Sequence, residues 1–187
     1  MRGAATRRFV SATPGLYSNV MTATHDHHPT HQASAHDHSH CVNDALTRAD
    51  SLCAERGARL TSLRRRVLEL VWSGHRPRGA YAILEDLSQQ DGKATAPLTV
   101  YRALEFLVEQ GLVHRIESLN AYIGCAAPGA THSGQFLVCE GCGDAAEIDD
   151  SRIRAAIETA AAERGFRVQR PTVEVRGVCK ACQEKHP

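Results

Sequence analysis

Apolar residues recur with helical spacing from Cys41 onward. Leu46, Ala49, Leu52 and Cys53 fall on one stripe that Gly57 ends; Thr61 is placed to cap a second helix with the stripe Leu63, Val67, Leu70 and Val71 and the stop Gly74. Ala80, Ile83, Leu84 and Leu87 mark a third, shorter helix. After "QQDGKATAP", Pro97 stands at or just before the first turn of a fourth, with Val100, Leu104, Leu107 and Val108 inward and Gly111 as the stop. The period then drops to two: "LVHRIES" and "AYIGC" alternate like the strands of a hairpin. Three or four short helices followed by a two-stranded wing predict a winged helix-turn-helix.

Beyond Asn120 the pattern becomes short strands ("AYIGC", "GQFLVC", "AAEID"), an Ala-rich helix from Ser151 to Arg164 stopped by Gly165, and a final strand, "PTVEVRGVC". The expected architecture is therefore α+β. A winged-helix domain occupies residues 41–118, a hinge falls at Glu117 to Asn120, and a small α/β domain covers residues 119–187. Residues 1–40 are rich in Ser, Thr, Ala and His without a hydrophobic period and read as a disordered extension. Arg2, Arg7 and Arg8, with no acid before residue 21, superficially suit a transit peptide. Translation from Met21, which opens "MTATHDHH", is the simpler expectation.

Composition sharpens this picture in two places. Aromatic residues are only 5% of the 187, so each core must be built from Leu, Val, Ile and Ala, and a small domain of that kind usually needs a staple. The formal charge of +1 hides an uneven distribution: Arg56, Arg59, Arg64, Arg65, Arg66, Arg76 and Arg78 face only Glu69 between residues 56 and 78. Such density suits a phosphate-facing surface, although a solvated helix face has the same composition. No apolar run reaches the length of a membrane-spanning helix. Seven cysteines, four of them in C-x2-C pairs, point to metal ligation in a reducing cytoplasm rather than to disulfides.

The four paired thiols carry the most specific chemistry. Cys139 and Cys142, then Cys179 and Cys182, can each set two sulfurs on one side of a turn, and two such pairs complete a tetrahedron around Zn(II). A closed set of four has no open position and is structural; redox exchange is the alternative for a single pair. A second set, His114, Cys125, His132 and Glu147, is metal-ligating by residue type but loose in spacing, and each member alone reads more readily as a packed or solvent-facing residue than as a ligand. The tract from His25 to Cys41 holds seven of the eleven histidines and is expected to bind extra metal weakly, the alternative being a third sensory site completed by Cys41.

"LTVYRALEFLVEQGLVHRIES", "AYIGC", "THSGQFLVCEGCG" and "GVCKAC" together resemble the zinc uptake regulator branch of the ferric uptake regulator family, over about Cys41 to Cys182. The resemblance implies a homodimeric transcriptional repressor, not an enzyme, with a winged-helix DNA-binding domain and an α/β dimerisation domain. It implies two zinc ions per subunit: a structural one on Cys139, Cys142, Cys179 and Cys182, and a regulatory one on His114, Cys125, His132 and Glu147. Iron and peroxide sensors of the family carry a His-rich run before CxxCG. Here "THSGQFLVC" keeps one histidine and Cys125 supplies a thiolate, a softer donor that favours zinc.

On that basis the fourth helix is the reader of double-stranded operator DNA. Arg102 matches the arginine of "TVYR" and is assigned to guanine, Tyr81 matches a tyrosine at the DNA surface, and Thr99 and Tyr101 lie near the helix start. Arg64, Arg65 and Arg66 are assigned to phosphates. A same-fold sensor of nickel, iron or manganese and a zinc storage or delivery protein are the competing readings; no membrane partner is expected.

Overall fold

The computed structural model describes residues 38–74, 76–130 and 134–185; the expectations placed on residues 1–37, including the start at Met21 and most of the histidine tract, lie outside them. Four helices come first: α1 (His38–Glu55), α2 (Ser62–Trp72), α3 (Ala80–Asp91) and α4 (Pro97–Glu109). Their ends follow short-range chemistry. The Thr61 side chain accepts a hydrogen bond from the Arg64 N–H at the start of α2. Pro97 opens α4, where its missing N–H leaves no bond unmade. Gly111 then takes a left-handed φ of 67°, so that the Leu112 N–H bonds back to the Leu107 carbonyl at 2.9 Å and the chain turns directly into a strand.

That strand, β2 (Val113–Ile116), pairs antiparallel with β3 (Ala121–Gly124), and β3 pairs in turn with the two-residue β1 (Arg78–Gly79), giving the order β1-β3-β2. The helices and this sheet share one core, in which Ala49, Val67, Ile83, Leu87, Leu104 and Leu107 are fully enclosed and Cys53 is a buried apolar member. Four stripe residues expected to be core, Leu52, Leu63, Leu84 and Val108, are only partly covered, whereas Leu68 is buried. Trp72 closes the core against the wing. A Cβ on Gly124 would sit 2.2 Å from the Trp72 ring, so this position admits only glycine.

The expected hinge at Glu117 to Asn120 is not one. Glu117–Leu119 form a 3-10 turn, Asn120 takes φ 46°, and the turn closes the β2–β3 hairpin with Ile116 opposite Ala121. Residues 121–124 therefore belong to the wing, with Tyr122 in the first core, and a boundary at 118/119 would cut a hairpin in half. The chain leaves the first sheet only after Cys125, whose N–H still bonds to the Leu112 carbonyl at 3.0 Å.

The second unit is a sheet of β4 (Gly134–Cys139), β5 (Ala145–Ile148) and β6 (Thr172–Gly177) in the order β5-β4-β6, with α5 (Ser151–Ala162) making the crossover to the parallel β6 and a short α6 (Lys180–Lys185) at the end. Its core is small: Phe136, Val138 and Ala145, completed by Ile116 from the wing. None of the residues of α5 is buried. On the opposite face of the sheet, the register partners Leu137 and Val175 stand about half exposed.

Candidate metal centres and nucleic-acid surface

The four paired thiols meet at one end of the second sheet. Cys139 ends β4 and the chain turns back at once: the Gly143 N–H bonds to the Cys139 carbonyl at 2.9 Å, with Gly143 at φ 71°. β6 runs parallel beside β4 and delivers Cys179 just past its end, and the first turn of α6 carries Cys182. All four sulfurs lie within 4.8 Å of one another, and Cys142 Sγ is 3.8 Å from Cys179 Sγ. A tetrahedral zinc with bonds of about 2.3 Å requires its sulfurs to stand about 3.8 Å apart, so the cage has the right size.

Its electrostatics also call for a cation. N–H groups of Cys179 and Cys142 point at the Cys139 sulfur and hold its pKa down to about 6. The Cys182 thiol is pushed up to about 12, chiefly by its hydrogen bond with Cys179. The first thiolate is thus prepared by backbone donors, while the last cannot ionise among its neighbours without a compensating positive charge.

The second cluster gathers residues from both sheets. His114 lies on β2, Cys125 follows β3, and Glu147 lies on β5; their donor atoms fall within 4.8 Å of one another, and His114 Nε2 is 3.0 Å from Glu147 Oε1. The imidazole stands edge-on to Phe136 at 5.2 Å between centroids. Cys125 is 2% exposed, and burial, reinforced by the Glu147 carboxylate, pushes its thiol up to about 12. The following loop is anchored to α1, where Arg48 donates to the Ala126 carbonyl at 3.3 Å. His132, the fourth expected donor, lies outside the described residues.

Among the residues assigned to DNA, Tyr81 at the start of α3 is 72% exposed and Arg102 on α4 is exposed. Thr99 and Arg102 line a hollow of about 240 Å³ with Thr61, Leu63, Arg64 and Ala103. Tyr101 is less available: it packs partly against the first core and meets Tyr81 edge-on at 6.4 Å.

The arginine run is not a row of free cations either. Arg64 lies over the Phe106 ring at 3.5 Å, Arg65 pairs with Asp50, Arg66 with Asp91, Arg78 with Asp86 and Arg76 with Asp144. A charge count within one stretch of sequence misses acids that the fold brings from elsewhere. The exposed pairs among these, Arg65–Asp50 and Arg76–Asp144, contribute little, roughly 0–1 kcal/mol, so a phosphate can replace the carboxylate there at small cost.

Two features lay beyond the sequence reading. Gln135, buried on β4, exchanges hydrogen bonds with the Asp150 backbone at 3.1 and 3.2 Å and fixes the start of α5. Glu174 on β6 accepts the N–H groups of Glu117 and Ser118 at 2.7 and 3.0 Å. The one available signal for Glu174 was an acid between two valines in "TVEVRG".

The profile of the ferric uptake regulator family matches residues 55–176. The zinc uptake regulation protein of Escherichia coli (strain K12) is 37% identical over 151 residues, 78% of this chain and 88% of that one. A zinc uptake regulator complexed with zinc and DNA superposes with a TM-score of 0.72 at 36% identity, over 77% of this chain and 96% of that one. The crystal structure of holo XcZur gives 0.69 at 40% identity, over 76% and 99%. Among the described residues no helix is long and apolar enough to cross a membrane. On the extent of the profile match and the identity to these relatives, the chain belongs to the ferric uptake regulator family.

Proposed function

We infer that this chain is a zinc-responsive, homodimeric transcriptional repressor that binds operator DNA, and not an enzyme. The family, the identity to a zinc uptake regulation protein and the likeness to a zinc uptake regulator complexed with zinc and DNA all support this. The observation that carries the zinc response is the cluster of His114, Cys125 and Glu147, because its donors come from two sheets. We assign a structural zinc to Cys139, Cys142, Cys179 and Cys182, and a regulatory zinc to His114, Cys125 and Glu147 with His132, two ions per subunit. The place of action we assign is the cytoplasm.

A zinc ion held at the second cluster supplies the positive charge that a buried thiolate and carboxylate need. The chain's contribution is geometric. His114 and Cys125 move with the wing, and Glu147 moves with the second sheet, so the three converge only in one relative placement of the two units. Conditions that favour convergence shift the population toward that placement. In a two-fold dimer it fixes the spacing of two α4 helices, which must stand about 34 Å apart to enter successive major grooves. The half-exposed face of Leu137 and Val175 and the uncovered α5 provide apolar surface for the partner subunit.

We assign Arg102 to a guanine edge, Tyr81 and Thr99 to the groove wall, and Arg64, Arg65 and Arg66 to phosphates, with Tyr101 supporting Tyr81 from behind. Operator binding measured against buffered free zinc, nickel, iron(II) and manganese(II) tests the assignment. Zinc-dependent, salt-sensitive binding to a palindrome is expected. Uptake of many zinc ions without DNA binding would indicate a storage protein instead.

A further inference from the structure

Residues 114–118 of the wing lie crosswise over the second sheet. Two-residue alternation puts His114 and Ile116 on one face of β2. His114 reaches Glu147 on β5, Ile116 packs with Phe136 and Val138 on β4, and the N–H groups of Glu117 and Ser118 reach Glu174 on β6. These strands are neighbours in that order, and Glu147, Phe136 and Glu174 are register partners in one row. The wing thus meets the row one strand at a time: carboxylate, ring, carboxylate.

The two carboxylates do different work. Glu147 belongs to the donor cluster. Glu174 turns both oxygens toward peptide N–H groups, Oε1 to Glu117 and Oε2 to Ser118. Hydrogen bonds to an ionised acceptor are the stronger kind, and these two span the units without a metal.

We propose that Glu174 is a positioning residue: it fastens the turn of the wing to β6 and so holds His114 where it can share an ion with Cys125 and Glu147. The proposal rests on reading those three residues as a metal site. Its physical content is preorganisation. An apparent affinity falls by the fraction of molecules in the competent placement, and a tether that raises this fraction tightens binding without touching the ion.

The test uses the full chain with zinc retained on the four thiols and cobalt(II) titrated as the probe of the second cluster. The thiolate-to-cobalt absorption of Cys125 is identified by its loss in Cys125→Ser. Glu174→Ala loses both hydrogen bonds and is expected to weaken cobalt binding at least about tenfold, the low end for hydrogen bonds to a charged group, with the absorption band unchanged in shape. Glu174→Gln keeps one acceptor oxygen and is expected to lose about threefold. Wild-type affinity in Glu174→Ala overturns the proposal, and so does an altered band, which would mean a changed donor set. If Glu174→Ala no longer holds the four-thiol zinc, Glu174→Gln decides, and wild-type affinity there is the overturning result. Full affinity and an intact band in Cys125→Ser would instead sink the metal-site reading, and this proposal with it.

Discussion

The four thiols all belong to the second sheet and the segments at its end, whereas His114 and Cys125 come from the wing sheet and Glu147 from the other. Each cluster gathers groups that cannot all be charged without a cation, four thiols in the first and a thiol, a carboxylate and an imidazole in the second, yet their placement gives them opposite consequences. An ion on the four thiols closes a turn onto a neighbouring turn and adds to the stability of a unit whose core has only a few residues. An ion on the second cluster joins two units that already have their own hydrogen-bonded sheets. On the proposed assignment, occupancy of the first is expected to be a condition of folding, and occupancy of the second to vary while the fold persists.

The sharpest way to break this contrast is to remove one thiol from the first cluster. Cys142→Ser leaves three sulfurs and a poor donor, and a structural zinc is worth on the order of 10 kcal/mol to a small domain. The second unit is expected to unfold while the first core, which contains none of these cysteines, stays folded. Circular dichroism should show partial loss of structure, and gel filtration should show loss of the dimer. Retention of a full complement of β structure would mean that the thiols are not the staple.

The next effect concerns the second cluster. Cys125→Ser should preserve the fold and the four-thiol zinc but remove the dependence of DNA binding on free zinc. Coupling between two sites typically amounts to about 1–3 kcal/mol, or roughly 5–150-fold, and operator affinity at saturating zinc should fall by that factor. Fluorescence anisotropy with buffered zinc measures it. A mild chelator should produce the same weakened state in the wild-type chain, since the proposed regulatory ion is expected to leave before the structural one.

The contrast also explains what the sequence disclosed. The CxxC pairs, the Thr61 cap, Pro97 and Gly111 are short-range devices, and each was readable from neighbouring residues. The misplaced hinge came from a change of character after Asn120, although Ala121 and Tyr122 are held by pairing with β2 and β1. The arginine run lost its apparent charge to Asp50, Asp86, Asp91 and Asp144, none of which lies within it. Glu174 is 57 residues from the Glu117 N–H that it accepts, so the local pattern, an acid between two valines, marks the residue but not its partner. Residue type could suggest the second cluster, but only the crossing of wing and sheet brings His114 to Glu147.

A smaller effect separates response from readout. Arg102→Ala should reduce the preference for operator over random DNA by about 1–3 kcal/mol, the value of one good base contact. Arg65→Ala should weaken both together and lessen the salt dependence, since its assigned partner is a phosphate. Neither variant should alter zinc binding at either cluster. Competition binding at two salt concentrations distinguishes them, and an Arg102→Ala protein that still prefers its operator fully would move the reading role elsewhere on α4.

The smallest expected effect tests how tightly the first cage is packed. A Cβ on Gly141 would lie 3.1 Å from Cys182 Sγ and 3.2 Å from Cys182 Cβ, closer than ordinary contact, so α6 must give by a few tenths of an ångström. Gly143 presents the opposite problem: a Cβ there meets nothing within 4 Å, but its φ of 71° lies in the left-handed region that disfavours a side chain. Strain at such a position amounts to roughly 1–2 kcal/mol and falls on the turn itself. Gly141→Ala should therefore speed zinc release from the four thiols several-fold with little change in melting temperature of the zinc-loaded chain. Gly143→Ala should lower the melting temperature with a smaller change in release. Stopped-flow transfer of zinc to a chromophoric chelator, run beside thermal melts, reads both. Since neither glycine touches the second cluster, the zinc response of DNA binding should be the same in both variants; a shift in that response would show that the two centres are mechanically coupled rather than separate.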